Sequence, residues 1–556
     1  MHRFLKNRAE VGNTTNRARF LYNGIILTLA ALIIRTVGVS FNVYITTVIG
    51  EAGTGIYQLV MSVYSPALTL ATAGVSLSSS RLVAEELGKR RGGRYISVFF
   101  RCLCCSLAVS IPVSALLFFI APAVSAKWIG DGRACELLRI LCIGLPFISL
   151  SSCISGFFTA IRRASKSAFL QLCEQFFRIF VTYTIIAKTK AIGGECLVAV
   201  IGGGVISDVF SFVLASLFCK NTVKKMKKQR SKDRSSLTAR VLGITLPVSF
   251  SSFLRSSLVA LEHILIPKGL KKSGADYASA MASYGTLTGM AMPIIFFPAS
   301  FLYSFSSLTV PELAEANEKK DYNGIRASIK NILYSFLVFS VGAAGMIACF
   351  HSELSSSIYN NPSVGKFLLV LAPLIPFMYL DTAVDSMLKG IGEQIYTMRV
   401  NVIDALSSVI AVVILVPKMG IMGYVVVILI SELINFSFSL HRLKKVTRVK
   451  LDIFKKTPKL IFCIIGAVSV SKLIGVLGLS LELETVLMIV FSILFYVIFL
   501  TIFGLIPIPH EYLRGVIKPI LTKYNLKKDK EINNESDRYN SSDAAKNLRA
   551  AVKNRA

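Results

Sequence analysis

The sequence predicts an all-α polytopic membrane protein, and three observations carry that prediction. The chain has 556 residues, of which 53% are hydrophobic and only 17% charged, against roughly 25% charged in an ordinary soluble domain. Its apolar residues come in blocks of about 20 to 25, the length a helix needs to cross a bilayer. A pattern in the first half also recurs in the second. Together these give about fourteen transmembrane helices, in two pseudo-symmetric lobes of about six each, with two more at the C-terminus.

Residues 1–19 are basic and polar, and the apolar run behind them is too long for a signal-peptide core, so no cleavage is expected. The N-lobe (20–219) has expected spans at 20–48, 54–79, 95–121, 135–160, 166–188 and 195–219. The first ends at Gly50-Glu51-Ala52-Gly53-Thr54-Gly55, a short outer turn. A basic linker (220–239) leads to the C-lobe (240–441), with spans at 240–266, 280–308, 326–350, 365–390, 394–416 and 420–441. A second basic loop (442–457) precedes spans at 458–477 and 484–506. The tail, 507–556, is charged and rich in Asn and Ser, and disorder is expected there. Pro66, Pro112, Pro146, Pro247, Pro293, Pro298 and Pro376 fall inside spans, where they suit helices bent around a cavity.

The repeat rests on several matches in the same order. Ser76–Glu86 matches Ser304–Glu315, and Pro146-Phe147 matches Pro376-Phe377. At that second offset Glu174 falls on Asp404, while Ile206-Ser207-Asp208 matches Ile430-Ser431-Glu432. Duplications of this kind place a substrate site between the lobes near mid-depth.

The formal net charge is +31, which taken alone would suggest a nucleic-acid partner. Position argues otherwise, because the basic residues crowd into alternate loops. Arg3, Lys6, Arg8, Arg17 and Arg19 precede the first span, Arg81 to Arg94 follow the second, and Lys220 to Arg240 fill the linker. By the positive-inside rule both termini lie in the cytoplasm, and the charge attracts anionic membrane lipid. The 11 cysteines include Cys102, Cys104 and Cys105, which suit packing in an apolar helix. The five histidines are scattered, so no metal site and no cofactor are expected. No Walker A, nucleophile-elbow or zincin motif is present, and enzyme chemistry is not expected.

Arg35 and Arg255 lie near mid-depth of their spans and are the leading substrate-binding candidates. A guanidinium fork suits phosphate oxygens, and an arginine in the bilayer is costly unless it meets protein or a water-filled cavity. A structural ion pair is the competing explanation. Arg81 stands at the cytoplasmic end of its span, where a topology anchor competes with a substrate role. The ion-coupling candidates are Asp404, Asn401, Asp381, Glu174, Asp208 and Glu432, since intramembrane carboxylates can take up a proton or sodium. Simple i,i+4 pairing accounts equally well for Glu174 with Arg178 and for Asp385 with Lys389. Glu262 and His263 are expected on a solvated outer rim.

Arg35-Thr-Val-Gly38, Ile49-Gly50 with Gly53, Gly55 and Tyr57, Gly74–Glu85, and Val310-Pro311-Glu-Leu-Ala-Glu-Ala316 together resemble the stage V sporulation protein B-like and MurJ-type lipid-linked oligosaccharide flippases. These belong to the polysaccharide exporters of the superfamily that also holds the multidrug and toxic compound extruders. The resemblance implies export of an undecaprenyl-pyrophosphate-linked saccharide, such as lipid II or a related wall or spore-cortex precursor, across the bacterial cytoplasmic membrane by alternating access. It implies that Arg35 is the first cavity arginine; where a second commonly follows, this chain has Phe41-Asn42, which makes Asn42 a further substrate candidate. A monomer working beside cell-wall synthesis enzymes is the implied setting. The main alternative is a proton- or sodium-coupled exporter of cationic drugs on the same architecture. A non-transporting scaffold would leave both arginines without a purpose.

Overall fold

The computed structural model describes residues 2–88, 94–161, 163–189, 194–225, 236–449, 451–473 and 481–505; the side chains before Ile33 and that of Arg35 lie outside this description. The N-terminal half comprises α1 (His2–Gly88), α2 (Arg94–Val124), α3 (Arg133–Ala160), α4 (Ala164–Thr189) and α5 (Gly194–Lys225). The C-terminal half opens with α6 (Ser236–Lys272), α7 (Tyr277–Gly285), α8 (Met292–Glu318) and α9 (Tyr322–Cys349). It continues with α10 (His351–Tyr359), α11 (Pro362–Leu371), α12 (Ile375–Gly390), α13 (Gln394–Met419) and α14 (Ile421–Thr447). Two last helices are α15 (Thr457–Ser471) and α16 (Leu481–Ile502).

Among the described residues, 11 stretches are long and apolar enough to cross a membrane, and the fold is the expected all-helical, multi-pass one. The expected count of fourteen is not reproduced as such. One stretch, Thr36–Leu87, has 52 residues, more than twice the roughly 20 that a bilayer requires. It breaks at Gly50, where φ is 72° and ψ is 178°, a conformation open to glycine and strained for other residues. Asn42 Nδ2 donates to the Gly289 carbonyl at 3.1 Å, and Thr54 also lies against Gly289. A straight helix would separate residues 42 and 54 by about 18 Å, so the two limbs of α1 fold back at Gly50. Helices α4 and α15 hold two further expected spans. The first carries Lys166, Glu174, Arg178 and Lys188 within its length, and the second has only 15 residues.

Two of the prolines follow a local change of helix type. A π-helical turn, Thr286–Ala291, runs into Pro293, and a short 3-10 turn, Ala372–Leu374, runs into Pro376. Such turns re-satisfy backbone groups that proline frees. The basic linker is shorter than expected in the described chain, because α5 continues to Lys225 and α6 opens at Ser236. The expected disordered tail, 507–556, lies outside the described residues.

The second limb of α1 and α6 form the longest seam between the two halves. Ser65 meets Ser256 at 2.8 Å, Gly74 N donates to Ser249 Oγ at 3.2 Å, and Ser78 meets Thr245 at 2.7 Å. Arg240 then bonds Glu85 at 2.8 Å and Glu86 at 3.2 Å. The numbers rise along one helix as they fall along the other, so the pair is antiparallel. Small residues allow the approach: a Cβ on Gly74 would lie 2.2 Å from the Thr245 carbonyl oxygen. Close backbone packing with hydroxyl bonds replaces the hydrophobic drive that lipid cannot supply.

At the Gly50 end the halves meet again through Gly55 against Met281 and Gly285 against Glu51. A π-helical turn, Ser125–Ile129, caps α2 at the same end, where Tyr277 Oη donates to the Ile129 carbonyl at 3.5 Å.

Candidate functional site

The intramembrane charges fall into two groups that follow the repeat. In the first half, α4 and α5 pack side by side and bring three charged residues together. Arg178 Nη2 donates to Glu174 Oε1 at 3.2 Å and to Asp208 Oδ1 at 3.0 Å. Ser211 Oγ donates to the other Glu174 oxygen at 2.7 Å. Asp208 is buried, whereas Arg178 keeps about a third of its side chain exposed. The i,i+4 pair expected for Glu174 is therefore present, extended to a second carboxylate on the next helix. Arg178 was legible only as a partner for Glu174; that it bridges two expected ion-coupling candidates was not.

The first limb of α1 runs along this group. A Cβ on Gly38 would lie 3.7 Å from Nε2 of Gln175, so the helix position of Arg35, one turn earlier, is close to the acids of α4. Arg35's own side chain is among those not described.

In the second half, α13 and α14 pack in the same way. Ser431 Oγ donates to Asp404 Oδ1 at 2.5 Å, a serine–acid contact between neighbouring helices like that of Ser211 with Glu174, though from a different position of the repeat. Asn435 Nδ2 donates to Asp381 Oδ2 on α12 at 3.2 Å. Asp385 pairs with Lys389 at 3.7 Å, one turn on, as the i,i+4 spacing suggests. Asn401 turns its amide to the Thr397 carbonyl of its own helix, at 2.9 Å. Glu432 is half-buried between Ser431 and Leu433 on α14.

Arg255 lies on α6, which packs against α1 on one side and α13 on the other. Its side chain is exposed, its charge acts on Asp404, and among the described residues it forms no hydrogen bond or ion pair. Arg35 and Arg255 thus belong to opposite halves, one beside α4 and the other beside α13. Arg81 is exposed near the end of α1. Asn42 is committed to the Gly289 carbonyl, so its amide nitrogen holds the two halves together.

Glu262 and His263 differ from expectation. Instead of a fully solvated rim they occupy a half-buried polar junction beside Tyr284 of α7 and Tyr424 of α14. His263 Nδ1 meets Tyr284 Oη at 2.8 Å, and Glu262 stands near the Tyr424 hydroxyl. Both tyrosines are buried.

A further cluster was missed. Glu51, beside the Gly50 break, accepts from Thr286 Oγ1 at 3.2 Å and from Asn361 Nδ2 at 2.6 Å. The glycine-rich turn around it was visible in sequence; its partners on two distant segments were not.

Comparison with known proteins agrees with this architecture. The family described as "Polysaccharide biosynthesis protein" matches residues 20–315. Stage V sporulation protein B of Bacillus subtilis (strain 168) is 25% identical over 414 residues, covering 73% of this chain and 79% of that protein. Lipid II flippase MurJ of the same organism is 19% identical over 463 residues, covering 77% of this chain and 83% of its own length. Among solved structures, the inward closed conformation of lipid II flippase MurJ aligns with a TM-score of 0.66 at 14% identity, over 86% of this chain and 98% of that one. The inward-facing conformation of a multidrug resistance MATE family transporter of the MOP superfamily aligns at 0.58 and 15%, over 76% and 99%. At those identities the structural likenesses show the fold alone. The family match spans more than half of the sequence and includes the whole first lobe with the glycine-rich turn, and the chain belongs to the polysaccharide biosynthesis protein family.

Proposed function

We propose that this protein is a flippase that carries an undecaprenyl-pyrophosphate-linked saccharide across the bacterial cytoplasmic membrane by alternating access. The single observation that carries the reading is Arg255, an exposed guanidinium halfway along α6 that forms no hydrogen bond or ion pair among the described residues. In hydrocarbon such a charge is unfavourable by a few kcal/mol or more. It is accounted for if it faces a water-filled cavity that receives an anion. A diphosphate head offers the oxygens a guanidinium fork binds best, while the polyprenyl tail stays in lipid. Arg35 would serve from the opposite lobe, with Arg81 near the cytoplasmic mouth.

The contacts between the lobes suit a protein that rocks. In the expected orientation, with both termini cytoplasmic, the Gly50 end faces outward. There Glu51, Thr286, Asn361, Asn42 and the glycines of three helices close the path to the outside. These are hydrogen bonds and small-residue contacts, each worth about 0.6 kcal/mol in a membrane, weak enough to exchange for others. Ion coupling, or the membrane potential at about 2.3 kcal/mol per charge per 100 mV, would reset the lobes.

Native mass spectrometry of the purified protein with lipid II, undecaprenyl phosphate and organic cations tests the reading. Wild type should bind lipid II selectively, and Arg35→Ala/Arg255→Ala should lose that binding while remaining folded. Equal binding by both proteins would move the site elsewhere. Binding of organic cations without either lipid would favour the drug-exporter alternative.

A further inference from the structure

We infer that the two C-terminal helices, α15 and α16, set how firmly the Glu51 junction closes, with the short helix α10 as the lever between them. Helix α10 (His351–Tyr359) is held at both ends. Near its start Lys472, just past α15, places Nζ 4.0 Å from Glu353 Oε1 and 5.8 Å over the Phe350 ring. One turn on, Ser357 meets the buried Thr485 of α16 at 3.0 Å. Beyond its far end Asn361 Nδ2 donates to Glu51 Oε1 at 2.6 Å, and α10 itself packs against α1. One short element thus touches the last helix pair on one side and the first half of the chain on the other.

The lever is stiff. Asn360, with φ at 50°, closes α10 in the left-handed conformation that asparagine adopts more readily than most residues. Asn361 then caps α11, its Oδ1 accepting from Ser363 N at 3.0 Å. That bond fixes the amide with its nitrogen aimed at Glu51. A Cβ on Gly365 of α11 would lie 2.9 Å from Ser355 Oγ and 3.1 Å from the His351 carbonyl oxygen, so α10 and α11 are in close contact. Elements packed this tightly pass on a displacement rather than absorb it.

The pair at the other end of the lever is itself a unit anchored to the second half. Ser471 of α15 meets Ser492 of α16 at 2.5 Å, both buried. Tyr496 Oη of α16 donates to the Val338 carbonyl of α9 at 2.9 Å. Coupling between separated sites needs an element with two arrangements that both sites bias. The Glu51 junction is that element, closed while Asn361 and Thr286 bond the carboxylate and open once they part from it. Lys472 and Thr485 hold α10 in the position from which Asn361 reaches Glu51.

The inference rests on the transport reading only in treating the Glu51 junction as a gate, since opening can be followed without any substrate. Hydrogen–deuterium exchange of the full-length protein in detergent is the test. Thr485→Val removes the hydroxyl that Ser357 meets, and Glu353→Gln removes the charge beside Lys472. Each should raise exchange in peptides covering 46–56 and 284–291 about threefold, the equivalent of one hydrogen bond in a membrane, and leave α13 and α14 unchanged. Asn361→Ala should raise it at least as much. Thr485→Val added to Asn361→Ala should raise it no further, because the lever is already parted from the junction. Faster exchange confined to α10, or effects of the two changes that simply add, would overturn the coupling. Should Thr485→Val not fold, Glu353→Gln with Asn361→Ala completes the same cycle. Absence of lipid II binding by wild type would count against the transport reading and leave these exchange results standing.

Discussion

Arg178 is placed where a single substitution has a calculable consequence. Removing it leaves Glu174 and Asp208 facing each other without their shared cation, and Asp208 is almost wholly buried. Breaking a buried pair from one side is far more damaging than lacking the pair altogether. Partial exposure of the guanidinium moderates the effect, so Arg178→Ala should lose about 2 kcal/mol of stability. Adding Asp208→Asn should restore a good part of it. Thermal unfolding in detergent would show the pattern, and an unchanged unfolding temperature in the single variant would contradict it. At this scale the sequence was informative about chemistry and poor about partners. Glu174, Asp208, Asp404 and Asp381 stood out because carboxylates are rare in apolar runs. Their partners Ser211, Ser431 and Asn435 did not, since polar uncharged residues are ordinary in membrane helices and only packing shows which way they turn. Asn42 was noticed for its place in a motif, and only packing shows that its amide also donates to the Gly289 carbonyl.

Among the elements, α1 and α6 decide how the lobes can move. Their seam runs from Ser65–Ser256 to the Arg240 pairs without an intervening large side chain at the contacts named. If alternating access requires this seam to part, joining it covalently should stop the cycle. Ser65→Cys with Ser256→Cys, placed where the two hydroxyls are 2.8 Å apart, should form a disulfide under oxidant and abolish transport. Reductant should restore it; full transport by the cross-linked protein would show that the seam is static. Helix existence was legible throughout, because apolar runs of bilayer length admit few other structures. Helix individuality was less so. The break at Gly50 was anticipated as a turn, yet α4 and α15 fall below a simple length-and-apolarity threshold. A charged helix survives in the membrane when its charges pair internally, as Arg178 does, and that condition is tertiary.

For the whole molecule, the duplication explains both likeness and difference between the halves. A serine bonds an acid across both α4–α5 and α13–α14, from different positions of the repeat, and where Arg178 stands in one half Ser408 stands in the other. The repeat was legible because acidic residues kept their order; the asymmetry became meaningful only when the bonds of Arg178 were known. The turn Ser125–Ile129 at the Gly50 end adds an optical consequence. It carries Trp128, the single tryptophan of the chain, half exposed one residue before the carbonyl that Tyr277 touches. Tryptophan emission, excited at the red edge where the tyrosines do not absorb, therefore originates at one point, beside the junction proposed to open. Parting of the lobes should shift the emission maximum or its intensity, and the oxidised Ser65→Cys/Ser256→Cys protein should remain silent. The native chain thus carries its own fluorescent label, and lobe movement can be timed in stopped flow without attaching a dye.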